Sequence, residues 1–403
     1  MPRLSQRAAR LPASPIRRLV PYADQARARG VHVHALNIGQ PDVETPREMV
    51  EAYRSFDARV LAYGPSAGLP ELREAIAAYY ARLGTPLEAS QIHVTNGGSE
   101  ALLFTFAALC DPGDEIIVFE PFYANYAGFA VMLGVELKPV RSSSADAFHL
   151  PSDEAIEAAI TPRTRAIVIG SPGNPTGTVY RRDELERLGR LAQRRDLFIV
   201  SDEVYREFTY DGQTSTSVLA LEGLEDRTVV IDSISKRFSA CGARIGSTAT
   251  RNEALNGAIL RQAFARLCPP TVDQYAAIAG YRLPPSYFDP VVAEYTARRD
   301  ALVRGLRAIP GVSAYVPEGA FYTMVTLPVD DADAFCLWLL ESFQHRGETV
   351  MMAPGSGFYS TPDLGRQEAR IAYVLNVEAL ERAIETLGHA LAAYPGRRDA
   401  ARA

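Results

Sequence analysis

Cysteine is scarce in this chain of 403 residues. The four present, Cys110, Cys241, Cys268 and Cys336, lie far apart with no CxxC spacing. That argues against a disulfide framework and against a zinc site. Histidine is nearly as sparse: six residues and no HExxH. His32 and His34 share one side of a possible strand, but two histidines without further ligands read as surface or packing residues, so no metal is expected. Long apolar runs are absent too. None reaches the length needed to cross a bilayer, and the N-terminus lacks the apolar core of a signal peptide. The expectation is a soluble cytoplasmic protein. No basic block occurs; the formal charge is −6 and the arginines are scattered among acids. Neither nucleic acid nor membrane is an expected partner. Rossmann and Walker A spacings are missing as well, so a nucleotide is not indicated.

What remains is ordinary globular composition, 47% hydrophobic and 22% charged, long enough for more than one domain. Short apolar runs read as strands: Ile92–Thr95, Glu115–Phe119, Val135–Val140, Ala166–Gly170, Leu197–Val200, Arg227–Ile231 and Arg244–Ala249. Helical spacing appears between several of them, as in Leu72, Ile76, Tyr79 and Leu83. A further helix is expected over Ile16–Arg29. Strands alternating with helices predict an α/β fold with a mostly parallel, doubly wound central sheet. Beyond residue 290 the pattern changes to a smaller α+β unit. The expected division is 1–50 with the small domain, 51–290 as the large domain, and 291–403 as the rest of the small domain.

Several polar groups follow the strands. Asn174 lies in SPGNPTG, Asp202 in SDEVY, and Lys236 in SISKRFSACGARIG, which also holds Ser233, Ser235 and Arg244. Ligands of α/β proteins bind at the C-terminal ends of parallel strands. A lysine amine can form a Schiff base with an aldehyde, and hydroxyls with an arginine can hold a phosphate. The turn Asn96–Ser99, between a strand and a helix that Ser99 is expected to cap, is an anion-binding arrangement. Taken singly, each of these segments also reads as an ordinary solvated loop.

Together the segments NIGQPD, YGPSAGLPELR, TNGGSEAL, EPFYANY, SPGNPTG, SDEVY, SISKRFSACGARIG and ARIAYVL resemble, in family order, the class I/II aminotransferases of the fold-type I pyridoxal-phosphate superfamily. The prokaryotic aspartate-aminotransferase-like branch is the most similar. The resemblance implies pyridoxal 5′-phosphate as cofactor and a homodimer with sites at the subunit boundary. It implies Lys236 as the Schiff-base lysine and general base, and Asp202 as partner of the pyridine nitrogen. Tyr205 and Asn174 would donate to the cofactor phenolate, and Tyr123 would stack on its ring. Gly98, Ser99, Ser233 and Arg244 would hold the phosphate, joined by Tyr63 from the neighbouring subunit. Arg370 would clamp the substrate α-carboxylate, with Asn174 beside it and Gly39 closing the site. The chain departs from the family pattern at Ser171, where asparagine is frequent. No arginine matches the residue that reads a distal carboxylate; Arg266 is a candidate, from the partner subunit, or else a structural arginine. The implied activity is transfer of an amino group from an L-amino acid, aspartate or glutamate by branch, to a 2-oxo acid. The alternative is elimination, replacement or oxidase chemistry on the same scaffold.

Overall fold

The structure, a computed structural model, describes residues 2–398. A short strand, β1 (His32–Ala35), precedes seven that form the central sheet: β2 (Ile92–Asn96), β3 (Glu115–Glu120), β4 (Glu136–Arg141), β5 (Thr164–Gly170), β6 (Phe198–Asp202), β7 (Thr228–Ser233) and β8 (Ile245–Ala249). Their order is β2-β8-β7-β6-β5-β3-β4. β8 runs antiparallel to both neighbours, and the other pairs are parallel. A parallel sheet needs cover on both faces, and these strands supply apolar residues to both. On one face Ile117, Ile167, Ile199 and Val230 pack with Leu72 and Ile76 of the helix Pro70–Arg82 and with Leu185 and Leu188 of the helix Arg182–Arg195. On the other, Ile116, Val168, Val200 and Val229 meet Leu102 and Phe106 of the helix Gly97–Leu109. Each such side chain, wholly buried, contributes about 1.5–3 kcal/mol.

The later strands are β9 (Ser313–Ala314), β10 (Tyr322–Thr326), β11 (Glu348–Met351), β12 (Ala353–Pro354) and β13 (Glu368–Ala372). β12, β13, β10 and β9 make an antiparallel sheet in that order, while β11 pairs in parallel with β1. Leu19, Ala23, Val33 and Leu36 join Leu302, Phe335, Leu339, Ile371 and Leu387 in one apolar cluster. The N-terminal segment therefore packs with the C-terminal third. Met49 belongs instead to the cluster on the central sheet. The helix expected over Ile16–Arg29 is shorter than that: it spans Val20–Ala28, and the residues just before it form a turn. Pro21 in its first turn suits a helix start, because proline has no N–H to satisfy and its φ is already helical.

Beyond β1, two backbone bonds fix the chain. Leu36 N donates to Met351 O at 2.9 Å, and Ala372 N donates to Leu36 O at 2.8 Å. These bonds hold Asn37, Ile38 and Gly39 beside the C-terminal edge of the central sheet, where the polar groups collect.

Candidate active site

Three adjacent parallel strands deliver the central groups. Asn174 follows β5, Asp202 ends β6, and Lys236 follows β7. The lysine sits in one helical turn, Ile234–Arg237, where the sequence pattern suggested a loop. Ser233 starts that turn, its Oγ accepting from Ser235 N at 3.2 Å. The side chains open into a cleft of about 580 Å³ lined by Lys236, Asp202, Tyr205, Tyr123, Asn174 and Arg244 among others.

Lys236 Nζ donates to Gly39 O at 2.8 Å and lies 3.7 Å from Cys241 Sγ. Asp202 is buried and accepts from Tyr126 Oη at 3.0 Å through Oδ2. Its Oδ1 is buried with no partner. Burial pushes the Asp202 carboxyl up to about 6, against the pull of Tyr126 and the Val204 backbone. Tyr205 shares a 2.9 Å hydrogen bond with Tyr322 Oη. Burial drives the Tyr205 hydroxyl well above its ordinary range, so it remains a donor. Asn174 accepts from Arg370 Nη1 at 2.9 Å through Oδ1, which leaves its amide N–H groups to the cleft. Tyr123 presents its ring to the same space, edge-on to Tyr126.

The anion-binding turn departs in one respect from the sequence reading. The helix begins at Gly97, so Ser99 is its third residue and not its cap; no side chain caps this end. The first N–H groups are therefore open to a ligand, and the helix dipole adds to their field. Gly97 has φ +74°, and a Cβ there would lie 2.3 Å from Arg244 Nη2. Glycine thus lets the Arg244 guanidinium rest directly on the turn. Arg244 is anchored by a 3.0 Å bond to Cys241 O. Gly98, Ser99 and Ser233 line the cleft beside it.

Arg370 lies within β13 and is 1% exposed. Besides Asn174 it donates to Asn37 O, and its guanidinium lies 4.5 Å from the ring centre of Tyr322 and 5.0 Å from that of Phe358. Its Nε is buried without a partner. Burial lowers the guanidinium from its ordinary value, with the tyrosines opposing. Gly39 packs flat against Tyr322: a Cβ there would fall 1.8 Å from Tyr322 Oη.

Two expected residues lie elsewhere. Tyr63 is 81% exposed and lines a separate surface hollow with Arg266. Arg266 is committed within the chain: Nη1 to Glu100 at 2.9 Å and Nη2 to Ser66 O at 2.9 Å. Several residues at or beside the cleft were given no side-chain role from sequence, among them Arg17, Asn37, Tyr126, Cys241 and Tyr322. Asn37 and Tyr126 stand inside the quoted motifs, so their segments carried a signal. Arg17 and Tyr322 had none.

These groups fit pyridoxal phosphate. An amine is available for its aldehyde, and the unpartnered Asp202 Oδ1 is a buried acceptor suited to a protonated ring nitrogen. The open helix end with Arg244 suits the phosphate.

Residues 31–387 match the family described as Aminotransferase class I and II. The chain is 33% identical over 396 residues to an aspartate aminotransferase of Bacillus subtilis, covering 96% of this chain and 98% of the relative. Among solved structures, an aspartate aminotransferase from Thermotoga maritima superposes with a TM-score of 0.88 at 34% identity, covering 97% of this chain and 100% of that one. An alanine aminotransferase from Pyrococcus furiosus gives 0.88 at 33% identity, with 96% and 99% covered.

Proposed function

The chain belongs to the class I and II aminotransferases, and on that premise we propose how its own residues divide the work of a pyridoxal-phosphate-dependent transaminase. The substrates are an amino acid and a 2-oxo acid; elimination or oxidase chemistry is not favoured. The cofactor, when bound, supplies an aldehyde for amines and a ring that accepts the electron pair left when an α-proton departs.

In our reading Lys236 carries the cofactor. Freed by the substrate amine, Lys236 Nζ would be the base that takes the proton from the substrate α-carbon and gives it back. Asp202 holds a proton on the ring nitrogen. A buried carboxylate with an oxygen that no donor engages gains most from a cation placed against it, because water is excluded there. Tyr205 and Asn174 donate to the ring oxygen, and Tyr123 covers the ring face. Gly98, Ser99, Ser233 and Arg244 hold the phosphate. Arg370 grips the α-carboxylate in a fork, its Nε being the unsatisfied donor. Lys236 and Arg370 now donate to the carbonyls of Gly39 and Asn37, so ligands replace contacts already made to that segment. We assign Arg266 to structure, since Glu100 and Ser66 occupy it.

The observation that carries this reading is the meeting in one cleft of a lysine amine, a buried carboxylate with a free oxygen, and an open helix end bearing an arginine. Exposed Tyr63 supports a homodimer in which it reaches the neighbour's phosphate site. We also infer the division of the chain into a large and a small unit from the separate apolar clusters, with the first boundary before Met49. Free amino acids and 2-oxo acids are cytoplasmic metabolites, and that is where we place the protein. Aspartate or glutamate as donor is the finer proposal, since relatives of the same fold are named for aspartate and for alanine. Borohydride reduction and peptide mapping test the core of it: the adduct should fall on Lys236, and amino-acid donors should yield their 2-oxo acids with matching amounts of new amino acid. An adduct on another lysine would overturn the assignment.

A further inference from the structure

The cleft holds one cation that the roles above leave unused. Arg17 lines it from the N-terminal segment. Its backbone is fixed: Arg17 N donates to Ser14 O at 3.2 Å and to Ser14 Oγ at 3.3 Å. The preceding carbonyl, Ile16 O, accepts from Asn37 Nδ2 at 3.0 Å. Asn37 O in turn accepts from Arg370. A single residue thus ties the expected α-carboxylate clamp to the turn that bears Arg17.

The other cations around the cleft have work. Arg244 sits on the phosphate turn and bonds Cys241 O. Lys236 and Arg370 bond the carbonyls of Gly39 and Asn37. Arg18, next along the chain, pairs with Asp333. Among the described residues, the Arg17 guanidinium makes neither a hydrogen bond nor an ion pair, and it is exposed at the cleft. The carboxylate that lines the cleft, Asp202, is buried and engaged with Tyr126. Nothing in the cleft wall neutralises Arg17. The amide side chains of Gln40 and Asn125 line the same space and add uncharged donors. Arg266, the other arginine considered for a distal group, is held by Glu100 outside the cleft.

We propose that Arg17 binds the side-chain carboxylate of acidic amino-acid donors and so sets the preference for them over alanine-like donors. This rests on the transaminase reading of the cleft. A planar guanidinium meets a carboxylate with two parallel charged hydrogen bonds, which an ammonium does not reproduce. Because Arg17 is carried by the N-terminal segment, and Arg370 by β13, the two carboxylates of one substrate would be read by opposite ends of the chain.

The test uses the holoenzyme. The ratio of kcat/KM for aspartate or glutamate to that for alanine is measured in the parent and in Arg17→Ala, Arg17→Gln and Arg17→Lys. The ratio should fall at least about tenfold in the first two, the lower range for a charge-assisted hydrogen bond, and recover in part with lysine. Separately, succinate and propionate are titrated against the cofactor absorbance band. Arg17→Gln should weaken succinate at least about tenfold more than propionate. An unchanged ratio together with parallel weakening of both acids would overturn the proposal. If the parent transfers no amino group from any donor, the transaminase reading fails. The succinate and propionate titrations still decide the role of Arg17 in that case.

Discussion

Replacing Asp202 with asparagine should change how the cofactor-free protein responds to acid. Burial raises this carboxyl from 3.8 to about 6, and the nearby Asp232 and Glu203 push in the same direction. The gap, at about 1.4 kcal/mol per tenfold in proton concentration, makes the ionised group oppose folding by about 3 kcal/mol. The folded state binds this proton more tightly than the unfolded chain does. The penalty is therefore complete above about pH 6 and is relieved as pH falls toward 3.8, about 2 kcal/mol of it by pH 4. An asparagine in its place would keep an acceptor for Tyr126 but carry no charge. Any fixed cost of the spare amide N–H is the same at every pH and drops out of the comparison. Urea unfolding of cofactor-free parent and Asp202→Asn, at equal protein concentration from about pH 7 to about pH 4, gives the difference directly. The parent should gain about 2 kcal/mol on the variant across that range. Pyridoxal phosphate should remove much of the gain, because the protonated ring supplies the missing counter-charge. Parallel curves for the two cofactor-free proteins would refute the reasoning, since the carboxyl would then titrate as an ordinary one.

Arg370→Ala should lower kcat/KM for acidic and neutral donors alike, about 10–100-fold, with Arg370→Lys recovering part of the loss; selective loss would contradict a role as common clamp. Tyr63→Phe should release cofactor faster in dialysis while light scattering still shows a dimer, and a fully active monomer would rule out the shared site. His149, held by Glu184 and then Glu318, is pushed up to about 9. Its folded value lies above the unfolded 6.5, so its stabilisation is complete below 6.5 and lost as pH rises through about 9. The thermal midpoint of the parent should fall over that interval more steeply than that of His149→Gln.

The parallel sheet was legible because its strands are continuous apolar runs bounded by turn residues. Ile116–Phe119 and Val229–Ile231 need no partner information to be read as buried strands. The polar residues closing two of these strands were legible for the same reason: Ser201-Asp202 and Asp232-Ser233 follow apolar runs directly. Pairing was not. β1 is four residues long, and nothing local in His32–Ala35 points to β11. Tyr322 begins a strand among apolar neighbours and reads as core; its part beside Tyr205 and Arg370 depends on contacts across the fold. Arg17 carries no local signal, because it stands outside the quoted motifs in a segment with several other arginines. The helical turn at Lys236 is too short to show a period.

The pairing of β1 with β11 has a consequence for synthesis. His34 and Glu348, bonded across the two strands, are 314 residues apart. Every strand of the central sheet has been translated by Ala249. At about 5–20 residues per second, the partner of β1 leaves the ribosome on the order of tens of seconds after β1 itself. During that interval a nascent chain can build the lysine, the carboxylate and the phosphate turn while Asn37–Gly39 has no strand to hold it. The wall of the cleft is thus set in place only after Met351 and Ala372 have been made, the second of them on the strand that carries Arg370.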